Sequence, residues 1–354
     1  MNIQSNIPSY SEKMRMYLEN PGINQSLLKD VWEDPKCIDP EYRNNKKKKA
    51  LTTGMNVGSL VDLMLVLPPE EFVEHIYVDT VVPPNEGTQM RVFCDFIINK
   101  CYGKEEKVSD ITMDIFEMAY EKAGFGRDSF DKVLNTRFPA EGYVYVESRL
   151  RSVNRLVVSE YEHNRATDVY NSITTHPFTA KFLQPEEGVE IDFQVPMFFT
   201  LNLDSGQPVN CKALLDIVIT DHNQKRITWF DLKCIDGHIN RFEYSYEKFQ
   251  YNIQGAWYYA AIKQNAPAGY KIGLPAFMVE CFSSAGNPGI FVMSSEELHA
   301  GEHGGRNKRS LRQIIGYKEM LKTYMFYIDS KQTAYTQEQL NNQGVSTLNL
   351  INPL

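Results

Sequence analysis

Between residues 189 and 235 the chain carries three runs of strand length rich in β-branched and aromatic residues: VEIDFQVPMFFTLNL (189–203), VNCKALLDIVIT (209–220) and KRITWFDLKCI (225–235). The turn-like stretches DSGQP and DHNQ separate them, and the second and third runs read as a hairpin. Ile217, Val218, Ile219, Trp229, Phe230 and Leu232 make those two runs apolar on both faces, the mark of interior strands. Such strands need cover on both sides, and the rest of the sequence supplies helices. A short helix is expected at 24–34, with Asn24 or Ser26 as its cap and Leu27, Leu28 and Val31 on one face. A strongly apolar helix should occupy 56–67, ended by Pro68 and Pro69. Residues 108–182 read as largely helical, including SRLRSVNRLVVSEYEHN. A further helix is expected from about 244 to 264, a strand at 275–282 and a basic amphipathic helix from about 310 to 329.

The fold class is therefore α/β: a mixed central β-sheet of about four or five strands, flanked by helices, with a helical insertion. One continuous domain is favoured because no repeat or low-complexity linker divides the 354 residues. Its expected parts are 24–104 (N-terminal helices), 105–182 (insertion), 183–330 (core) and 331–354 (a polar, loosely held tail).

Composition narrows the function classes. Nineteen Phe and 20 Tyr supply enough apolar surface to exclude disorder for most of the chain. A net charge of −8 argues against a nucleic-acid coat protein, though not against a nucleic-acid enzyme with a local basic lining. The basic stretches Arg43–Lys49 and Arg306–Arg312 read as solvated loops. Six scattered cysteines, with no Cys-x-x-Cys pair, indicate neither a zinc ribbon nor a thioredoxin-type site and suggest a reducing, cytoplasmic location. Met1–Arg15 lacks the apolar core of a signal peptide, and Leu60–Leu67, broken by Asp62, is too short to span a membrane.

The chemistry concentrates at Asp216 and at Asp231-Leu232-Lys233. If residue 220 faces 225 across the turn, Asp231 lies opposite Leu214 and Asp216 sits two places along. Period-two alternation then puts Asp216, Asp231 and Lys233 on one face, with the carboxylates ~7 Å apart. Two carboxylates on an apolar hairpin need a partner, since like charges ~4 Å apart at an effective dielectric of about 20 repel by roughly 4 kcal/mol. A divalent cation removes that cost, and oxygen ligands suit Mg²⁺ or Mn²⁺ better than Zn²⁺. Lys233 could then hold the attacking water and offset phosphate charge. The plainer alternative is an ion pair on a strand. Further along, Tyr251, Gln254 and Tyr258 share one helix face while Ile253, Trp257 and Ala260 occupy another, so the polar face needs a partner such as Lys233 or a phosphate; an aromatic core helix is the bland alternative.

The order of these pieces resembles the PD-(D/E)XK nuclease superfamily, and within it phage-type exonuclease VIII and RecB-like nuclease domains. The pieces that carry the resemblance are Gly58-Ser59-Leu60-Val61-Asp62, Thr175-His176-Pro177-Phe178, Cys211-Lys212-Ala213-Leu214-Leu215-Asp216, Asp231-Leu232-Lys233 and Tyr251 through Tyr258. The likeness runs from about residue 24 to 330 and is loose between 78 and 150. It implies a restriction-endonuclease-like core and a Mg²⁺- or Mn²⁺-dependent DNA exonuclease. Asp62, Asp216, Asp231 and the Leu232 carbonyl would hold metal, with Lys233, Gln254 and Tyr258 completing the catalytic set. Asp62 stands where these nucleases commonly carry a histidine, and Gly58, one turn earlier, would let the helix approach the sheet. The resemblance also implies duplex DNA with a free end as substrate, a single-strand annealing protein as partner, a homo-oligomeric ring and, if phage-encoded, the bacterial cytoplasm as location. The rivals are a non-catalytic DNA-binding or scaffolding relative and a structure-specific endonuclease. Weaker site candidates are Glu147, Glu160, Glu162, Glu190 and Lys212, while His176-Pro177 reads as a helix break.

Overall fold

The structure, a computed structural model, describes residues 8–47, 52–105, 107–307, 310–311 and 313–345. They form two compact units: Leu67–Ala166, and the residues before and after it.

The inserted unit packs the helices Gln89–Cys101, Met113–Ala123 and Tyr143–Arg151 around Phe93, Phe116 and Phe138. It also holds a parallel pair, β1 (Ile76–Asp79) and β2 (Leu156–Ser159), with Ile76 opposite Leu156. The helix expected through SRLRSVNRLVVSEYEHN is thus corrected: it stops at Arg151, and the chain turns through Asn154 at φ 61° before entering β2. Val157 and Val158 lose side-chain freedom in a helix and here gain strand partners in Tyr77 and Val78. Arg149 anchors the pair by a 2.6 Å contact to Asp79. The unit starts earlier and ends earlier than 105–182, because the core of Gln89–Cys101 is shared with Met113–Ala123.

The main unit is built on β3 (Val189–Asn202), β4 (Pro208–Asp221), β5 (Arg226–Ile235), β6 (Lys271–Ile272), β7 (Ala276–Cys281) and β8 (Gly289–Val292). The sheet order is β3-β4-β5-β7-β8, with β6 beside β5. β5 runs parallel to β7 and antiparallel to β4, so the sheet is mixed and helices flank it. Short β6 and β8 add to the strands legible in the sequence. The helix Tyr251–Asn265 lays Ile253, Trp257 and Ile262 against Leu215, Trp229 and Tyr317, all buried. The Trp257 indole also donates to the Lys212 carbonyl at 3.0 Å.

Several expectations need correction here. The 244–264 helix is two helices, Phe242–Lys248 and Tyr251–Asn265, broken where Gln250 adopts φ 53°. The basic helix expected from about 310 begins only at Tyr317, after a short antiparallel pairing of Gln313–Ile314 with Gly305–Arg306. A helix at Tyr10–Glu19, capped by Ser9, was not expected at all. In the β4–β5 hairpin, Asp221 pairs with Arg226 and Ile217 with Phe230, a shift of two residues. The cause is a turn over residues 222–225, in which Asp221 accepts from the Gln224 N–H and Lys225 takes φ 52°. A shift of two keeps every side chain on its face. Gly58 has open space around its Cβ position, so the close approach lies one turn earlier, where Gly54 meets the Phe282 ring at 3.2 Å. The tail contains a capped helix at Gln337–Asn341, and residues 346–354 lie outside the described residues. Among the described residues, no helix is long and apolar enough to cross a membrane.

Candidate active site

The β4–β5 ladder stops at Ile217↔Phe230, while β4 continues along β3 and β5 continues along β7. Extending the register makes Asp216 and Asp231 direct opposites at the mouth of this gap. Asp216 spans it, since its Oδ2 accepts from the Leu232 N–H at 2.8 Å in place of a strand carbonyl. Its Oδ1 accepts from the Gln194 side-chain amide at 3.2 Å. Gln194 stands between Phe193↔Ile217 and Val195↔Leu215, so Gln194, Asp216 and Asp231 form one row across three strands.

Asp231 is 2% exposed and forms an ion pair with Lys233. The Lys233 ammonium also lies over the Tyr251 ring, 4.7 Å from its centroid. From the opposing helix, Gln254 donates to Asp231 at 2.7 Å and to the Tyr258 hydroxyl at 3.2 Å. Sequence spacing had placed Tyr251, Gln254 and Tyr258 on one helix face; the structure turns that face to Asp231 and Lys233.

Burial pushes Asp216 up to about 7, with the Asp231 charge adding to it and Lys233, Leu232 N–H and Gln194 opposing it. Burial raises Asp231 too, against the pull of Lys233. Asp62, on the helix Thr53–Val66, is raised well above the carboxylate range by burial and then by Asp216, with Asp231 adding a smaller push. Asp62 is therefore within electrostatic reach of the pair. Lys233 moves upward despite burial, because Asp231 and Asp216 hold its proton. Burial, then Asp231 and Asp216, keeps the Tyr258 hydroxyl protonated well past its ordinary range.

Whether these groups suit a hard divalent cation can be judged from their free valences. Each carboxylate oxygen has two lone pairs; both oxygens of Asp216 and the Oδ1 of Asp231 accept one hydrogen bond each, while the buried Asp231 Oδ2 accepts none and meets only the charge of Lys233. Acceptor capacity and surplus negative charge remain, which fits an all-oxygen ligand set. Among the described residues, however, no three His, Cys, Asp or Glu side chains are gathered as a ready-made cage.

The weaker candidates lie in other roles. Glu147 accepts from the Val108 N–H and pairs with Arg151, and Glu162 accepts from the Ser159 N–H. Glu160 is exposed, and Glu190 lies 3.5 Å from His222. Lys212 donates to the Tyr17 and Asn20 carbonyls. His176 caps Pro177–Ala180, where its Nδ1 accepts from Phe178. Arg43 and Lys46 pair with Asp30 and Asp34; the rest of both basic stretches that falls at 48–49, 308–309 and 312 lies outside the described residues. All six cysteines are free.

Three residues near the site went unnoticed in the sequence. Lys29 donates to the Phe249 carbonyl, and its pKa is lowered by burial and further by Lys233. Tyr10 is raised by burial and then by Asp62. Lys13 is buried and pairs with Asp192. Tyr10, Lys13 and Tyr17 have the same one-face spacing as Tyr251, Gln254 and Tyr258, so the rule that found the second helix could have found the first.

No family model matches the chain, and no curated protein matches it. Among solved structures, it is similar to a candidate exonuclease from Eubacterium rectale, at 13% identity and a TM-score of 0.35, over 77% of this chain and 97% of that one.

Proposed function

We propose that the chain is a Mg²⁺- or Mn²⁺-dependent deoxyribonuclease that hydrolyses DNA phosphodiester bonds. The observation that carries this reading is the pair of aspartates facing one another where two strands part, with a protonated lysine two residues beyond. Asp216 and Asp231 would hold the metal, with Asp62 and the Leu232 carbonyl as further oxygen donors. Once bound, the ion would stabilise charge gathering on the phosphate oxygens. Lys233 keeps its proton, so its role is to orient the attacking water and offset phosphate charge rather than to act as a base. Gln254 fixes the Asp231 carboxylate and the Tyr258 hydroxyl, which positions Lys233 in turn.

The motif order resembles that of PD-(D/E)XK exonucleases, and on that ground the substrate is duplex DNA with a free end, processed during phage recombination or repair in a bacterial cell. A single-strand annealing protein as partner and a ring-shaped homo-oligomer belong to the same proposal. The rival reading, a non-catalytic DNA-binding relative, draws on Asp62, which stands where the resembling nucleases commonly carry a histidine. End-labelled linear duplex incubated with Mg²⁺, Mn²⁺ or EDTA separates the two. Divalent-dependent release of short products is expected, and intact duplex under every condition would leave the binding role. Digestion of circular single-stranded DNA would instead identify an endonuclease.

A further inference from the structure

Gln194 lies inside a 14-residue strand yet has φ 48°, a left-handed conformation that is strained for any residue but glycine. The pairing on either side keeps one register, so no extra residue has been inserted to cause the kink. Strain of this kind persists only where the surroundings enforce it, and it concentrates at functional sites.

The residues that precede the kink are held by the helix Tyr10–Glu19. Nearly every residue of that helix is exposed or half-exposed, but Lys13 is 5% exposed. Its ammonium forms an ion pair with Asp192 and donates to the Phe193 carbonyl at 2.9 Å. Asp192 in turn accepts from the Phe193 N–H at 2.9 Å. Lys13 therefore grips the two residues that precede the kink, and the kinked residue is the one whose amide reaches Asp216.

We propose that Lys13 and Gln194 are positioning residues: the N-terminal helix clamps the β3 kink, and the kink aims the Gln194 amide so that Asp216 presents its free lone pairs to a divalent cation. This rests on the nuclease reading but assigns residues which that reading does not use. A buried lysine serving only as packing would affect stability and metal binding in parallel, whereas a positioning role separates them.

The separating variant is Gln194→Gly, which tolerates the left-handed backbone but lacks the amide. Its Tm should equal or exceed that of the wild type, while its Mn²⁺ Kd by isothermal titration, without DNA, should rise about tenfold. Lys13→Met should weaken Mn²⁺ binding by a similar factor, and Lys13→Arg should return it to within about twofold of wild type. Wild-type Mn²⁺ affinity in Gln194→Gly or in Lys13→Met overturns the proposal. So does a parallel loss of Tm and affinity in Gln194→Gly. Absence of Mn²⁺ uptake by the wild type overturns the nuclease reading and this proposal together, so the two failures are distinguishable.

Discussion

At the scale of single residues, the site is a balance of charges that no member could hold alone. Lys233 and Asp231 are paired, while Asp216 is held by the charge of Lys233, the Leu232 N–H and the Gln194 amide, and Asp62 has Lys233 alone to offset its burial. Asp231→Asn or Lys233→Met should lower cleavage of linear duplex at least about a hundredfold while circular dichroism stays that of the wild type; near-normal cleavage by either would remove it from the catalytic set. Asp216 has a pH signature of its own. Folding raises it from the ordinary 3.8 to about 7, so the folded state binds this proton more tightly than the unfolded chain does. Its contribution to stability is complete at pH below the unfolded value and is lost as pH climbs to 7. In EDTA, the wild-type Tm should therefore drop more between pH 5 and 7.5 than that of Asp216→Asn. Identical drops would show that Asp216 titrates normally.

At the scale of elements, glycines and tryptophans hold the site helix in place. Gly301, on the helix Ser295–His303, comes so near that an added Cβ would lie 2.1 Å from the Asn252 carbonyl oxygen. Gly301→Ala must push the two helices apart, and with them Gln254; lower Tm and lost cleavage are expected together. Gly58→Ala meets open space in mid-helix and should raise stability by ~0.5–1 kcal/mol in denaturant titration. Trp257→Ala, emptying a fully buried site, should cost ~3–5 kcal/mol. The elements also show what the sequence made legible. The β4–β5 hairpin, its polar face and the one-face pattern on the site helix follow from alternation and helical spacing. The register did not, because the exact turn depended on the Asp221 side chain and on Lys225 adopting a left-handed backbone. The kink at Gln194 was invisible for a similar reason: it is imposed by a lysine far away in sequence. The pair β1 and β2 was lost because Leu156–Ser159 is a short apolar run that reads as either helix or strand until a partner strand is known.

At the scale of the whole molecule, binding of a divalent ion to the folded state alone should raise its Tm by mass action, and Asp216→Asn should suppress the rise in Mg²⁺ or Mn²⁺. A wild type whose Tm ignores both ions would speak for the non-catalytic relative. The main unit has a second property with a longer reach. Its chain is interrupted, with Lys13 and Asp62 encoded before the inserted unit and Gln194, Asp216, Asp231 and Gln254 after it. A ribosome adding roughly 5–20 residues per second leaves roughly 8–30 s between the emergence of Asp62 and that of Asp216. During that interval the apolar helix Thr53–Val66 has no sheet to cover. A nascent chain, or one terminated before residue 216, lacks Asp216, Asp231 and Lys233 together, so the divalent binding and cleavage proposed above cannot begin until that stretch has been translated.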